Sequence, residues 1–272
     1  MTSQHKNGSV LGKSVSYPEN YDPSLLYRIP RPAKTESVSW FGFDRWVAYE
    51  LTWIGKEGCP QCCALELLVP ASSNFIVESK SLKLYLGSFA QEVFDDSSKI
   101  LETIHQDLAL LLETNELGVN RLEISITKDL QISRAPGLSI DSTHTSCSDY
   151  QSPSKELLIT HPDSVHEILH SNMFRSLCPV TGQPDYAGVI VEYKGRRLNH
   201  DSLLRYLVSF RHHPGFHETC CEKIFEDILS ACCPEELTVG CFFTRRGGIE
   251  INPVRSNNDL TCSWTRLRFP RQ

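Results

Sequence analysis

The sequence predicts an α+β chain built twice over, two tandem modules each made of an antiparallel sheet with its helices laid on one face. Three observations carry this. Runs rich in β-branched and aromatic residues alternate with helical periodicity; Ser81–Phe89 matches Ser202–Phe210 at six of nine positions, 121 residues on; and a small-polar stretch without periodicity lies between the copies. Two echoes follow at an offset of 120. Glu102, Ile104 and Asp107 return as Glu222, Ile224 and Asp227, and Glu116-Leu117-x-Val119 returns as Glu236-Leu237-x-Val239.

The chain therefore divides into a polar N-terminal arm (1–40), a first module (41–130), a linker (131–155) and a second module (156–272). In the first module Val47–Trp53 and Ala64–Val69 read as strands, Ser81–Phe89 as a short helix and Ser98–Leu112 as a longer one. Ile100, Leu101, Ile104, Leu108, Leu111 and Leu112 give the long helix one apolar face, with Ser97 or Ser98 as its N-cap. Leu122–Ile126 returns as a strand. The second module repeats the order with Gly188–Tyr193, Leu203–Phe210, Thr219–Leu229 and Leu237–Thr244. The linker, with Ser139, Asp141, Ser142, Thr143, Ser146, Ser148 and Ser152-Pro153-Ser154, reads as a loop or tether.

At 272 residues, 40% hydrophobic and 22% charged, the chain can bury one large core or two modest ones. Its first residues, Met1 to Asn7, are polar with no apolar segment behind them, and no apolar run reaches membrane-spanning length, so a cytoplasmic location is expected with no membrane partner. Eleven cysteines, an odd number that includes three adjacent pairs, predict reduced thiols. A net charge of −6 argues against direct nucleic-acid binding. Arg196-Arg197 and Arg245-Arg246 suit a phosphorylated small molecule, and equally an ordinary solvated face.

Cys178 and Asp185 stand seven residues apart in Cys178-Pro179-x-Thr181-Gly182-Gln183-Pro184-Asp185, where two prolines and a glycine forbid a regular helix. A thiol and an acid on one stiff turn suit covalent catalysis, the sulfur attacking an electrophilic carbon while the acid gives a proton; a buried structural cysteine is the plainer alternative. The residues that fail to repeat are informative. Glu78-Ser79-Lys80-Ser81 stands where the second copy has Asn199-His200-Asp201-Ser202, whereas His217-Glu218 and Arg245-Arg246-Gly247-Gly248 belong to the second copy alone. A composite site drawing on both copies is expected. Glu78 to Ser81 offers an anion pocket at a helix start or a simple N-cap. Glu218 suits the N–H edge of a purine-like ring or complements a helix dipole. The Gly-Gly pair lets a backbone approach a ligand while arginine grips phosphate, or forms a turn with surface charge.

Cys59-Pro60-Gln61-Cys62 has metal-ligand spacing but no second Cys or His pair at a zinc interval, so no metal is expected. Cys59 and Glu66 imitate the spacing of Cys178 and Asp185 and read as its non-catalytic counterpart. No Gly-x-Gly-x-x-Gly or phosphate-loop motif occurs, so a dinucleotide would bind without that fingerprint.

Four ordered motifs then carry a resemblance: Glu78-Ser79-Lys80-Ser81-x-Lys83-x-Tyr85, the Cys178 to Asp185 segment, Phe216-His217-Glu218, and Arg245-Arg246-Gly247-Gly248-x-x-x-Asn252-Pro253. Together they resemble the NADPH-dependent 7-cyano-7-deazaguanine reductases, nitrile reductases of queuosine biosynthesis, in their long two-module form. The resemblance implies tandem tunnel-fold modules whose sheets close into a barrel on oligomerisation, and a homodimer. It also implies a small deazapurine substrate and NADPH as cofactor. Cys178 would form a covalent thioimide and Asp185 would protonate the nitrogen; Val77, Glu78, Ser79, His217 and Glu218 would hold the substrate. Ser79, Lys80, Arg246 and Gly247 would hold the cofactor. Tyr186, where tryptophan is expected, and the abundance of cysteine depart from the family pattern. A further expectation is a reversible disulfide between Cys178 and Cys220 that shields the nucleophile from overoxidation. Two other classes stay open: a zinc-dependent tunnel-fold enzyme acting on a pterin or GTP, and a purine-binding module without catalysis.

Overall fold

A computed structural model describes residues 17–32, 40–114, 122–127, 131–141, 144–258 and 262–272. Most of the N-terminal arm, the Glu116–Val119 echo, and Ser142 and Thr143 lie outside the described residues. The chain sorts into two compact units: 1–33, 46–129 and 245–249 form one, and 34–45, 130–244 and 250–272 form the other.

In the first unit, β1 (Arg28–Pro30) is followed by β2 (Phe41–Gly55), whose opening residues belong to the other unit, then β3 (Pro60–Pro70), β4 (Phe75–Val77), α1 (Ser79–Gly87), β5 (Val93–Phe94), α2 (Ser97–Leu112) and β6 (Glu123–Thr127). The strands run in the order β6-β3-β2, and β1 pairs separately with β4. Ile100, Ile104, Leu108, Leu111 and Leu112 are buried, so the apolar face read from the sequence is the packed one. Its cap is Asp96, not Ser97 or Ser98: the Asp96 carboxylate accepts from Ser98 N and Lys99 N, because the helix starts a residue earlier than periodicity places it. Likewise α1 starts at Ser79, two residues before the expected Ser81, because Glu78 rather than a serine caps it.

The second unit holds β7 (Leu138–Ser139), β8 (Thr160–Leu177), β9 (Pro184–Leu198), α3 (His200–Ser209), α4 (His217–Cys232), β10 (Glu236–Phe243) and, from its second residue on, β11 (Ile249–Ser256). Its strand order is β11-β10-β9-β8-β7, antiparallel except where β7 runs parallel to β8. Helices α3 and α4 pack on one face, where Cys221, Ile224 and Phe225 are fully buried. On the other lie Ile190, Phe242, Trp264 and Phe269, so the chain's final segment lines that face. The α+β class and the helices on one face stand as expected, with short parallel pairings added at the margins.

The repeat is visible as repeated hydrogen bonding. Tyr85 Oη donates to Asp107 at 2.5 Å and Tyr206 Oη to Asp227 at 2.7 Å; Ser88 Oγ donates to the Tyr85 carbonyl and Ser209 Oγ to the Tyr206 carbonyl, both at 2.6 Å. Both long helices end on a left-handed residue, Glu113 at φ 53° and Cys233 at φ 45°. Among the described residues no helix is long and apolar enough to cross a membrane.

Candidate active site

Cys178 and Asp185 flank the tip of the β8–β9 hairpin. Ser176 pairs with Asp185 and Leu177 with Pro184, so Ser176 and Asp185 face the same side of the ribbon, and Cys178, two residues beyond Ser176, faces it too. The tip is stiffened from within: Cys178 N donates to the Gln183 carbonyl at 2.8 Å and Gly182 N to the Cys178 carbonyl at 2.9 Å, with Gly182 in the left-handed region at φ 69°. It is also tied to the approach of α4, since Leu177 N donates to the His213 carbonyl (2.9 Å) and Gly215 N to the Leu177 carbonyl (3.0 Å). The expected rigid loop is therefore held at both ends.

Those ties bring His217 and Glu218, the first two residues of α4, to the same place. His217 Nε2 stands 3.4 Å from Asp185 Oδ2, and its ring stacks face to face on Phe243 at 3.8 Å, fixing the ring plane. Asp185 is 3% exposed, Glu218 2% and Cys178 5%. Phe216, at the N-cap, supplies no side-chain cap, so the positive end of the helix dipole is left beside the Glu218 carboxylate. Cys220, one turn in, is fully buried; burial pushes its thiol up to about 12, against the lowering effect of the Ser176 hydroxyl. All eleven cysteines are free thiols, Cys178 and Cys220 among them.

The first unit carries its own group of the expected residues. The Glu78 side chain accepts from Lys80 N at 2.7 Å and Ser81 N at 3.2 Å. Those amides are thus taken up, so a phosphate here would meet side-chain cations rather than helix N–H groups. The carboxylate keeps further lone pairs for N–H donors of a ligand. Burial raises the Glu78 pKa, opposed by the same two backbone bonds and by Lys80. Val77 is buried just before it, and Ser79 and Lys80 are half-buried.

Arg246 and Gly247 join this first unit although they come from the second half of the chain. Gly247 (φ 59°) and Gly248 (φ 80°) form a two-residue hairpin turn closed by Arg246 and Ile249. A Cβ on Gly247 would stand 3.0 Å from Lys83 Nζ, so the bare backbone leaves an exposed cradle beside an ammonium group. Arg245 lies over the Tyr49 ring at 5.2 Å. This arrangement suits a phosphorylated cofactor.

Phe243 and Ser176, beside His217 and Cys220 in the second unit, and Lys83, beside Gly247 in the first, are not singled out individually by sequence reasoning. Lys83 lies inside the first of the four motifs; Phe243 and Ser176 carry no signal separable from core packing. Among the described residues no cluster of three or more His, Cys, Asp or Glu side chains is placed to hold a metal ion.

With this geometry in view, comparison with known proteins decides the family. Residues 17–120 match the family described as nitrile reductase, 7-cyano-7-deazaguanine-reductase N-term, and 184–261 the one described as QueF-like protein. The NADPH-dependent 7-cyano-7-deazaguanine reductase of Paraburkholderia xenovorans is 43% identical over 97% of this chain and 98% of its own. The chain belongs to the NADPH-dependent 7-cyano-7-deazaguanine reductase family. The Burkholderia ambifaria reductase is 44% identical over 92% of this chain and 93% of its own. A solved structure of archaeosine synthase QueF-Like in the apo form covers 35% of this chain and 94% of that one at 23% identity and a TM-score of 0.31, too slight a likeness to support a fold assignment.

Proposed function

We propose that the protein reduces the nitrile of 7-cyano-7-deazaguanine to the primary amine of 7-aminomethyl-7-deazaguanine with NADPH, in queuosine biosynthesis. The observation that carries this is the base of the β8–β9 turn, where Cys178 and Asp185 are both buried and Asp185 meets His217. The Cys178 sulfur adds to the nitrile carbon as the nitrogen takes a proton from Asp185, giving a covalent thioimide. His217, held flat against Phe243, orients Asp185 and passes the thiol proton to and fro. Glu218 and Glu78 accept hydrogen bonds from the N–H edge of the deazaguanine, with Val77, Ser79 and His217 shaping its seat.

NADPH, when bound, supplies hydride to the substrate carbon at each of two reductions. Ser79, Lys80, Arg246 and Gly247 hold its phosphates, with Lys83 beside the glycine cradle. Cys178 leaves as thiolate once the carbon has been reduced to the imine level, freeing the sulfur for another turnover. Two hydrides and two protons are consumed per nitrile.

Mixing the full chain with NADPH and the nitrile tests this reading. Loss of two cofactor equivalents per amine formed is expected, and binding without consumption would leave only a purine-binding module. We further propose tandem tunnel-fold modules that close into a barrel in a homodimer, as the family resemblance implies; a single-chain mass by light scattering would contradict it. A cytoplasmic location without direct tRNA binding completes the reading, the latter from the charge of −6. A measurable shift of tRNA by the purified protein at physiological salt would overturn that part.

A further inference from the structure

We infer that Asp141, a linker residue, is a positioning residue for the nucleophile hairpin and acts through a bulge in β8; this rests on the roles proposed for Cys178 and Asp185. Burial alternates along β8, but its phase changes part-way. Leu169 and Ser171 are buried before the change, and Phe174, Ser176 and Cys178 after it. Pairing gives the cause: Ser171 stands opposite Val189 and Phe174 opposite Ala187, so Asn172 and Met173 together face the single residue Gly188. A slip of one residue sends every side chain to the other face. Without the bulge, Cys178 and Ser176 would leave the face they share with Asp185.

Asp141 holds that bulge. Its Oδ1 accepts from Ser171 Oγ at 2.6 Å and its Oδ2 from Asn172 N at 2.8 Å, while Ser171 Oγ accepts from Met173 N at 3.1 Å. Three consecutive residues of the strand thus converge, directly or through Ser171, on one carboxylate. The carboxylate is itself anchored. Ile140 is buried and donates its N–H to the His170 carbonyl at 3.0 Å, Leu138 and Ser139 pair with Leu169 and His170, and Gly137 at φ 75° passes so close that a Cβ would sit 1.9 Å from the Ile168 carbonyl oxygen. The linker is therefore a brace on the edge of β8, set a few residues before the nucleophile.

The test compares Asp141→Ala, Asp141→Asn and Asp96→Ala in the full chain. Asp96→Ala is the control, because it too removes a carboxylate that accepts backbone and serine donors but lies far from β8 in sequence and in the other unit. Asp141→Ala is expected to lower kcat about tenfold or more and to slow covalent capture of the nitrile by Cys178, read by intact mass, with KM within about threefold. Asp141→Asn, which keeps an acceptor for Asn172 N, is expected to restore most of kcat. Asp96→Ala should lower Tm while kcat stays within about twofold. If Asp141→Ala does not fold, Ser171→Ala, which removes the bonds made by the Ser171 hydroxyl but leaves the one from Asn172 N to the carboxylate, takes its place with a smaller loss in kcat. Unchanged kcat in Asp141→Ala, or equal losses in it and Asp96→Ala, would overturn the inference while leaving the proposed reaction intact. A wild-type chain that neither captures nor reduces the nitrile would instead remove the reading on which the inference rests.

Discussion

Cys59 and Cys178 each stand at a hairpin turn seven residues ahead of an acid, in copies of one repeat, yet Cys59 closes the β2–β3 turn whereas Cys178 opens the β8–β9 one, and their surroundings diverge. Cys59 is exposed, in a turn where Gly55 N donates to its carbonyl and Gly58 takes φ 80°, and Glu66 lies mid-strand opposite Ser125. Cys178 is buried, and Asp185 reaches a histidine at the start of α4. The helix starts diverge as well. In the first copy Asp96 caps α2, whereas Phe216 leaves α4 without a side-chain cap, forgoing roughly 1 kcal/mol, typical of such caps. The second copy thus holds His217, Glu218 and a buried thiol together where the first has optimised a cap, which is the signature of a site maintained against local stability.

The largest expected effect breaks this comparison at the sulfur. Cys178→Ala should lose turnover on the order of 10³-fold or more and form no mass-shifted adduct with the nitrile, yet still bind it. An adduct in that variant would place the covalent chemistry elsewhere. Asp185→Asn should cost about 10²-fold or more in kcat with a smaller change in KM, as loss of a general acid does. Retained activity would remove Asp185 from proton transfer and leave the His217 contact as structural only.

Much of this asymmetry is legible in the order of residues alone. The repeat, the stiff Cys178 loop and the unrepeated motifs His217-Glu218 and Arg245 to Gly248 can all be read there, because turns, glycines and charged pairs declare themselves locally. Two long strands cannot. In β8 the bulges at 160–164 and 171–174 interrupt the alternation a strand is read from, and its first half is polar and exposed. In β11 every residue is buried, including Glu250, Asn252, Arg255 and Ser256, so no alternation exists to read; Arg255 is carried inside by Asp44 at 2.8 Å and Glu222 at 2.7 Å. The gathering of Arg246 and Gly247 into the first unit depends on tertiary packing, which no local pattern encodes.

A subtler contrast lies at the short helices. Ser81 and Ser202 donate their N–H groups to Glu78 and Asn199 in the same way, and each Oγ donates to the cap residue's carbonyl at 2.7 Å. Asparagine is a good cap and glutamate is not among the preferred ones, so the charge at Glu78 calls for a reason other than capping. Glu78→Gln should raise KM for the nitrile about tenfold, since a hydrogen bond to a charged group is worth ~1.5–3 kcal/mol. Its stability effect has a definite sign. Burial raises the Glu78 pKa above its ordinary 4.5, so the folded state favours the neutral acid, and wild-type stability falls as pH rises from that value through the raised one. The Gln variant lacks this loss. Its Tm relative to wild type should therefore climb between pH 4 and pH 7, and a flat difference would show that Glu78 carries no buried charge.

The smallest effect sharpens the comparison from the other side. Cys59→Ala should leave kcat and KM within about twofold, because an exposed turn residue whose carbonyl, not its thiol, closes the turn has nothing to transmit. Peroxide separates the two copies further. If the Cys178 and Cys220 sulfurs pair reversibly, oxidation should switch activity off and dithiothreitol restore it, with the two peptides joined in the map; the high pKa of the buried Cys220 thiol makes that closure slow. Cys59 and Cys62, both exposed, should oxidise in the same sample without changing the rate. A fall in activity that tracks Cys59 instead would mean that the first hairpin, despite its open surroundings, still reports to the chemistry.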